Sequence, residues 1–479
     1  MDPLVNVLRE AGQAVIGLFT LPYFYIAVIL VWWHARLGVK LQRKLFHVRL
    51  YGSLYLTLSR VIAGVAVGIV LSLVGLGAGA GLTSETLMFL WIVMGVLAIF
   101  QLRYVCLAYA AGVLGLLQAL SEWTGLEATA SPGAFSDALN TLAAIDVPGL
   151  LFIAGLLHIA EGFLVRLQGA KQAIPLFLQG KRGKLLGAYS LSGVWPIPLL
   201  WLIPSAGGGF TLPWMPLFGG VGETATWSIL AFPVLIGFSD RTTSFWPEDK
   251  ARASGNTLML YGGAIAALAI GAQFWSPLSV VAAVAAFVLH EGLLVVSRMR
   301  ETGRSPLFAQ DGNGVKVLAV LPNTPASELG FQSGELIKKV NGSTVRNKEE
   351  LHAALQKQSA FCKIEVANRD GHIKFLQRAR YEGEHYQLGL ILAPDDDVEF
   401  VAASRSASIW QMLRAAGARR LGNSPTMKAR QEAEQAAAEL AAAEEEEAAA
   451  IALALAIEEE EAAKAAGLPP RSSQSRNKS

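Results

Sequence analysis

Apolar residues dominate the chain up to about residue 297 and fall into nine segments separated by shorter polar stretches. These segments cover residues 17–35, 61–82, 86–101, 104–120, 147–165, 185–204, 225–238, 256–273 and 277–296. A helix needs about 20 apolar residues to cross the hydrocarbon core of a bilayer. The pattern therefore predicts a multi-pass transmembrane domain at 1–297 with about nine helices, of which 86–101 and 225–238 are the shortest.

Basic residues occur in every second connection between these segments. Arg43 and Lys44 follow the first segment, and Arg103 follows the third. The connection 121–146 contains acidic residues and neither Lys nor Arg. Short loops rich in Lys and Arg stay on the cytoplasmic side of a membrane. We therefore expect the N-terminus outside the cell and the residues after the ninth segment in the cytoplasm.

After residue 300, apolar and polar residues alternate instead of forming long apolar segments. Residues 315–320 predict a strand with a buried face, and residues 336–340 predict a second strand that ends at an Asn-Gly turn. Asn347 with Glu350 fits a helix cap and capping box, and the residues that follow have one apolar helical face. The stretch 305–395 is therefore expected to form an α+β domain.

The order of motifs in this stretch resembles that of bacterial PDZ domains. A Pro-Ala turn at Pro325, a Gly-acid-hydrophobic step at Gly334 and the Asn-Gly turn at 341–342 occur in the same order there. Residues 387–390, QLGL, are similar to the loop whose backbone N–H groups hold a peptide's terminal carboxylate in that family. Because these four residues stand at the end of the domain, the order of elements would be permuted.

The PDZ resemblance implies a peptide groove between the strand after Gly389 and the helix 348–356. A peptide in such a groove adds a strand to an open sheet edge. The expected lining residues are Leu388, Gly389, Leu390, Ile391, Leu392, His352 and Leu355. No catalytic residue, metal site or cofactor is expected.

A multi-pass membrane region followed by one cytoplasmic PDZ domain resembles the layout of MinJ-type cell-division topology proteins of Gram-positive bacteria. Proteins of that type act as adaptors between a curvature-sensing polar scaffold and the membrane-bound division-site inhibitor system. The resemblance implies a cell-membrane adaptor or scaffold that is not an enzyme. Its PDZ groove would bind cytoplasmic or membrane-associated division proteins, and no nucleic acid is expected as a partner.

Two histidine–glutamate pairs lie inside apolar segments, where ionisable groups are costly and often functional. His158 and Glu161 share one helix face. His290 is followed by Glu291, and both pairs would lie in the cytoplasmic half of their segments, at similar depth. A zinc protease of the site-2 type needs a second histidine where this chain has Leu294. Interhelical hydrogen bonding is the plainer interpretation.

Two other functional classes stay open. Ser192 with His290 is similar to the serine–histidine pair of rhomboid-type proteases, although Ser190 stands where that family has Gly. On this hypothesis, the protein is an intramembrane protease regulated by its PDZ domain. Transporters have helices broken by Gly and Pro near the middle of the membrane, and residues 207–209, Pro213 and Pro216 also interrupt this chain, although outside the predicted membrane core. That reading gives a membrane transporter with a regulatory PDZ domain.

The composition changes again after residue 395. A basic linker at 396–425 precedes the stretch 426–467 of almost only Ala, Glu, Gln and Lys, which predicts a long Ala/Glu-rich helix. The tail 468–479 is expected to be disordered. The whole chain of 479 residues has a formal net charge of +2, but its charges are so unevenly placed that this value identifies no partner. Its two cysteines, Cys106 and Cys362, suggest no disulfide framework.

Overall fold

The computed structural model describes residues 3–126, 133–180, 184–205, 209–218, 226–310, 312–357, 361–379 and 388–394. The chain divides into two compact units, 1–406 and 407–479, and everything described below belongs to the first. The linker 396–425, the Ala/Glu-rich helix 426–467 and the tail 468–479 of the sequence prediction lie outside the described residues.

Nine helices of ten or more residues precede the α+β part of the described chain. They are α1 (Pro3–Thr20), α2 (Pro22–Phe46), α3 (Ser53–Ala78), α4 (Ser84–Phe100), α5 (Leu107–Thr124), α6 (Ala134–Ala143), α7 (Val147–Leu164), α8 (Pro247–Phe274) and α9 (Pro277–Thr302). Five of them are long and apolar enough to cross a membrane, namely α2, α3, α8, α9 and α7 with the π turn Val165–Gly169 that continues it. The chain is therefore a membrane protein.

The first predicted span, 17–35, straddles two helices rather than one. Proline has no backbone N–H and favours the first turn of a helix. Pro22 therefore starts α2 at the point where α1 ends at Thr20, with Leu21 extended between them. The spanning helix is α2, which begins several residues later than the apolar count suggested.

The predicted helices at 185–204 and 225–238 are wrong, because both segments are β-strands. A sheet in the order β1-β2-β3 contains β1 (Ile174–Gln179), β2 (Leu185–Ser205) and β3 (Thr226–Thr242), all antiparallel to their neighbours. Proline in a helix interior removes a hydrogen bond and collides with the preceding turn. β2 contains Pro196, Pro198 and Pro204, and Pro233 of β3 lies directly opposite Pro198.

Helix α3 covers the edge of β2 that β1 does not reach. A Cβ on Gly64 would lie 2.2 Å from the carbonyl oxygen of Pro196, and one on Gly68 would lie 2.4 Å from that of Pro198. One turn further along α3, the Ser72 hydroxyl accepts the Leu200 N–H at 2.9 Å. Small residues at every fourth position let a helix approach another backbone closely. The prolines suit this edge because they leave no N–H there without a partner.

The α+β part, which we call the αβ module, comprises the described residues 312–394. Its strands are β4 (Val315–Val320), β5 (Leu336–Val340), β6 (Ser343–Thr344), β7 (Phe361–Ala367), β8 (Ile373–Ala379) and β9 (Leu390–Leu392). Its helices are α10 (Pro325–Glu328) and α11 (Lys348–Lys357). The strands follow the order β8-β7-β5-β4-β9, and β6 pairs with β5. The predicted strands 315–320 and 336–340 and the helix after Asn347 are confirmed.

The αβ module packs directly on the sheet of the membrane region. The Gly187 N–H donates to the Phe308 carbonyl at 2.8 Å, and Phe308 is fully buried. The Tyr189 hydroxyl donates to the carbonyl of Leu318 in β4. Burial raises the pKa of Tyr189 to about 12. One continuous core of buried side chains includes Phe308 and Leu318 together with residues of α5, α7 and β2.

Candidate functional site

Strand β9 lies at one end of the six-stranded sheet. It pairs antiparallel with β4, for example Val320 with Leu390 and Val317 with Leu392. On its other side, no strand pairs with β9 among the residues the structure describes. An edge strand presents a row of backbone N–H and C=O groups that can pair with a further strand.

The turn before β9 is shaped by Gly389. Its φ of +84° lies in the left-handed region, and a Cβ there would come within 2.5 Å of the Thr324 side chain. The carbonyl groups of Leu388 and Gly389 accept the N–H groups of Ala326 and Leu321, at 2.8 and 2.9 Å. The turn is therefore held from the side of β4 and α10. Gln387 of the predicted loop lies outside the described residues.

Helix α11 forms the opposite wall and begins as its sequence predicted. The Asn347 side chain accepts the Glu350 N–H at 2.8 Å, and Glu350 in turn accepts the Arg346 N–H at 2.8 Å. His352 is half-buried, whereas only 7% of Leu355 is exposed and it belongs to the core of the module. Leu355 therefore both lines the cleft and supports the fold.

All seven residues predicted from the PDZ resemblance line one cleft between β9 and α11, with a volume of about 350 Å³. Sequence reasoning missed a third wall, which comes from the membrane region. The last two residues of α2 and the two that follow it, 45–48, line this wall, and Phe177 of β1 packs edge-on against Phe46 with ring centroids 5.0 Å apart. No spacing rule connects residues so far apart in the chain, so the sequence contained no signal for this wall.

The polar side chains that line the cleft are basic. His47 comes from the end of α2, and Lys348 and His352 come from α11. Burial, and then the nearby Lys348 charge, lower the pKa of His352. The lining that the structure describes contains no carboxylate. The cleft thus combines an apolar floor with a rim suited to a carboxylate.

A second cluster lies between α5, α7 and α9, away from the cleft. The His158 and His290 rings, predicted to lie at similar depth, have centroids 5.2 Å apart. Cys106 joins them, with its Sγ 3.5 Å from Nε2 of His158. No spacing in the sequence had indicated that Cys106 lies beside these histidines. Tyr109 contacts Nδ1 of His290 at 2.8 Å and donates to Glu291 at 2.7 Å.

The structure does not assemble the two protease constellations in the part of the chain it describes. Ser192 lies in strand β2, where its carbonyl oxygen accepts a hydrogen bond from Arg60 at 3.0 Å. His290 instead hydrogen-bonds Tyr109. Glu291, which would be the base of a zinc protease, accepts hydrogen bonds from Tyr109 and Arg103.

Comparison with known proteins identifies the relatives of this architecture. The chain is 30% identical over 408 residues to the cell division topological determinant MinJ of Bacillus subtilis (strain 168), and the match covers 84% of this chain and 98% of that protein. The chain belongs to the MinJ family of cell division topological determinants. A second member, named "Probable cell division topological determinant MinJ" in Lacticaseibacillus paracasei, is 28% identical over 57% of this chain and 72% of its own length.

The MinJ match extends beyond the membrane region. It covers 84% of the chain, which is more residues than precede β4, so it cannot be confined to the segments before the αβ module. No protein-family model matches the chain. Membership of the MinJ family assigns the protein to cell-division topology.

Proposed function

We propose that the chain is a non-enzymatic membrane adaptor that helps to position the division machinery, and that its αβ module acts as a PDZ-like peptide-capturing domain. The observation that carries this proposal is the side of β9 that faces α11 across the cleft, where no strand of the described residues pairs with it. The printed names of the MinJ relatives supply the cellular process. The cleft supplies the means of recruitment.

The expected ligand is an extended peptide with apolar side chains and a carboxylate. Its backbone would pair with β9 as an added antiparallel strand, and its side chains would lie alternately toward Leu355 and toward solvent. The Lys348 charge favours a negatively charged group at the rim. Because residues 45–48, at and just after the end of α2, close the third side, the membrane region itself contacts part of the ligand.

The proposed orientation keeps the N-terminus outside and the αβ module in the cytoplasm. An antiparallel hairpin returns the chain to the end where it began, as two membrane crossings would. Replacing two predicted helices by β2 and β3 therefore leaves the expected side of the module unchanged. The basic residues Lys184 and Arg241 flank this hairpin at the end where the module packs.

Charge reversal on one helix tests the adaptor role. Lys348 lines the cleft, whereas Lys357 is exposed at the other end of α11 and is absent from the lining. We expect Lys348→Glu to repel a carboxylate-bearing ligand and Lys357→Glu to have no effect. Fluorescent fusions of the full chain should collect at division sites in the wild type and in Lys357→Glu, and misplaced septa should increase with Lys348→Glu.

Two outcomes would count against the proposal in different ways. A wild-type signal that stays uniform over the membrane throughout division would remove the division role. Equal behaviour of Lys348→Glu and Lys357→Glu, with the wild type still enriched at division sites, would remove the cleft as the recruiting surface.

Protease added to intact cells tests the orientation. It should leave the module uncut, and cleavage near Asn341 would contradict the proposed orientation.

A further inference from the structure

The strongest unassigned cluster in the described residues consists of Cys106, His158 and His290. Each offers one ligand atom, and these three atoms lie within 4.8 Å of one another. They come from three separate elements, namely the N-cap of α5, the middle of α7 and the middle of α9. Only His158 of the three is fully buried, with 3% of its surface exposed.

The distances suit a tetrahedral metal ion. With a metal–sulfur bond of about 2.3 Å and a metal–nitrogen bond of about 2.1 Å, sulfur and nitrogen ligands lie about 3.6 Å apart. The distance from Cys106 Sγ to His158 Nε2 is 3.5 Å. Glu161 has a carboxylate oxygen 4.0 Å from the same His158 nitrogen, so a carboxylate borders the position where a fourth ligand would bind.

Both histidines are oriented as metal-binding histidines usually are. Such a residue donates the N–H of its second ring nitrogen to a carbonyl or another acceptor, which leaves a lone pair on the first. The Nδ1 atom of His158 is 2.7 Å from the Ala154 carbonyl, so its N–H lies there and Nε2 is free to bind. The two rings are also held edge-on against Tyr261, at centroid distances of 4.9 and 5.4 Å.

His290 is oriented through a longer chain of hydrogen bonds. Tyr109 donates its only hydroxyl proton to Glu291, so its oxygen accepts the N–H on Nδ1 of His290, at 2.8 Å. Arg103 forms an ion pair with Glu291 at 3.2 Å, which fixes the position of that carboxylate. Nε2 of His290 is therefore left as the ligand atom. Tyr109 and Glu291 are positioning residues, since they act through His290.

Cys106 is the N-cap residue of the 18-residue helix α5, so its side chain lies at the positive end of that helix. A thiolate with two imidazoles is a ligand set for late first-row metals and a poor one for Mg²⁺ or Ca²⁺. We propose that Cys106, His158 and His290 bind one Zn²⁺ or Cu⁺ ion that ties α5, α7 and α9 together. This proposal is independent of the proposed adaptor function.

Metal titration of the detergent-solubilised full chain tests the site. We expect one equivalent of Co²⁺, used as a spectroscopic substitute for Zn²⁺, to give a thiolate-to-metal charge-transfer band that excess Zn²⁺ abolishes. A parallel titration with Cu⁺ compares the binding of Cu⁺ with that of Zn²⁺ and so shows which ion the site prefers. The band should be lost in Cys106→Ser and in His158→Gln and kept in Cys362→Ser, which removes the other cysteine of the chain. Tyr109→Phe should weaken binding by about tenfold, the effect expected for a second-shell partner.

A second measurement does not depend on the folding of the ligand variants. In Cys362→Ser protein, Cys106 is the remaining thiol, and its alkylation by a maleimide should be slowed by Zn²⁺ or Cu⁺ but not by Mg²⁺. Protection by Mg²⁺ as well would show non-specific binding of cations and would overturn the proposal. So would a wild-type protein that binds no stoichiometric metal, or a Co²⁺ band that survives in Cys106→Ser.

Discussion

Residues that line the cleft differ in whether they also support the core of the αβ module, and the structure distinguishes the two cases. Leu355 belongs to the core of the αβ module, so its replacement by Ala would lower the stability of the module by about 2–5 kcal/mol as well as alter the cleft. His352 is half-buried at the rim and is absent from that core. The histidine is therefore the better residue for probing ligand binding without unfolding the protein.

The protonation of His352 gives a prediction at this scale. Burial and the Lys348 charge lower its pKa below the ordinary 6.5, so the ring is neutral at pH 7. Because the unfolded chain binds this proton more readily, His352 lowers the stability of the module as the pH falls from 6.5 toward the folded pKa. Lys348→Ala should raise the pKa of His352, and Lys348→Arg should leave it low. NMR titration of histidine-labelled protein, assigned with His352→Gln, measures both.

Elements could be predicted where local chemistry determined them. In the αβ module, three local motifs predicted features that the structure contains. The alternation from Val315 predicted a strand, the Asn-Gly pair at 341–342 a turn, and the Asn347 cap the start of a helix. Apolar composition alone could not separate helix from strand at 185–204 and 225–238. The informative signal there was proline spacing, with Pro196 and Pro198 two residues apart, as alternate positions on one strand edge require.

The candidate sites divide along the same line. The seven cleft residues came from a local motif, and the structure brings them to one place. The α2 wall and the position of Cys106 beside His158 depend on contacts between distant segments, for which a single sequence contains no periodicity or spacing. Packing of the whole membrane region was needed to reveal them.

The contact between α3 and β2 gives a prediction at the scale of elements. Gly68 faces the Pro198 carbonyl at a distance that leaves no room for a Cβ, whereas Gly77 on the same helix has nothing within 4 Å. Both substitutions to Ala gain the same helix propensity. Gly68→Ala should therefore lower stability by about 1–3 kcal/mol through overpacking, and Gly77→Ala should not. Thermal unfolding in detergent, followed by size-exclusion chromatography, compares them, and equal melting would contradict this packing.

At the scale of the whole molecule, the αβ module is not an independent domain on a tether. Its buried Leu318 and the preceding Phe308 share a core with the membrane region, and the end of α2 forms part of its cleft. Deleting residues 314–394 would expose that core and destabilise the membrane region that remains. Substitutions on the cleft surface are therefore a sounder test of recruitment than removal of the module.

Trp246 is the side chain on which this docking can be tested. Its ring packs on Gly334, where a Cβ would lie 2.2 Å away, and the Arg369 guanidinium lies over it at 4.1 Å. Arg369 also donates to the Ser333 carbonyl at 2.8 Å. We expect Trp246→Ala to weaken the docking by an amount on the order of 2 kcal/mol. The connection at 303–310 should then be cut faster by a protease in detergent, while α2 and α3 stay intact.

The control for this prediction is Trp123→Ala, which removes the same side chain from a site where it is 88% exposed. It should leave the rate of cleavage at 303–310 unchanged. If Trp246→Ala were cut no faster than Trp123→Ala, the module would not depend on Trp246 for its position. If wild type and both variants were all cut rapidly, the module would not be docked at all. The wall at the end of α2 would then not belong to the cleft, and a ligand would contact β9 and α11 alone.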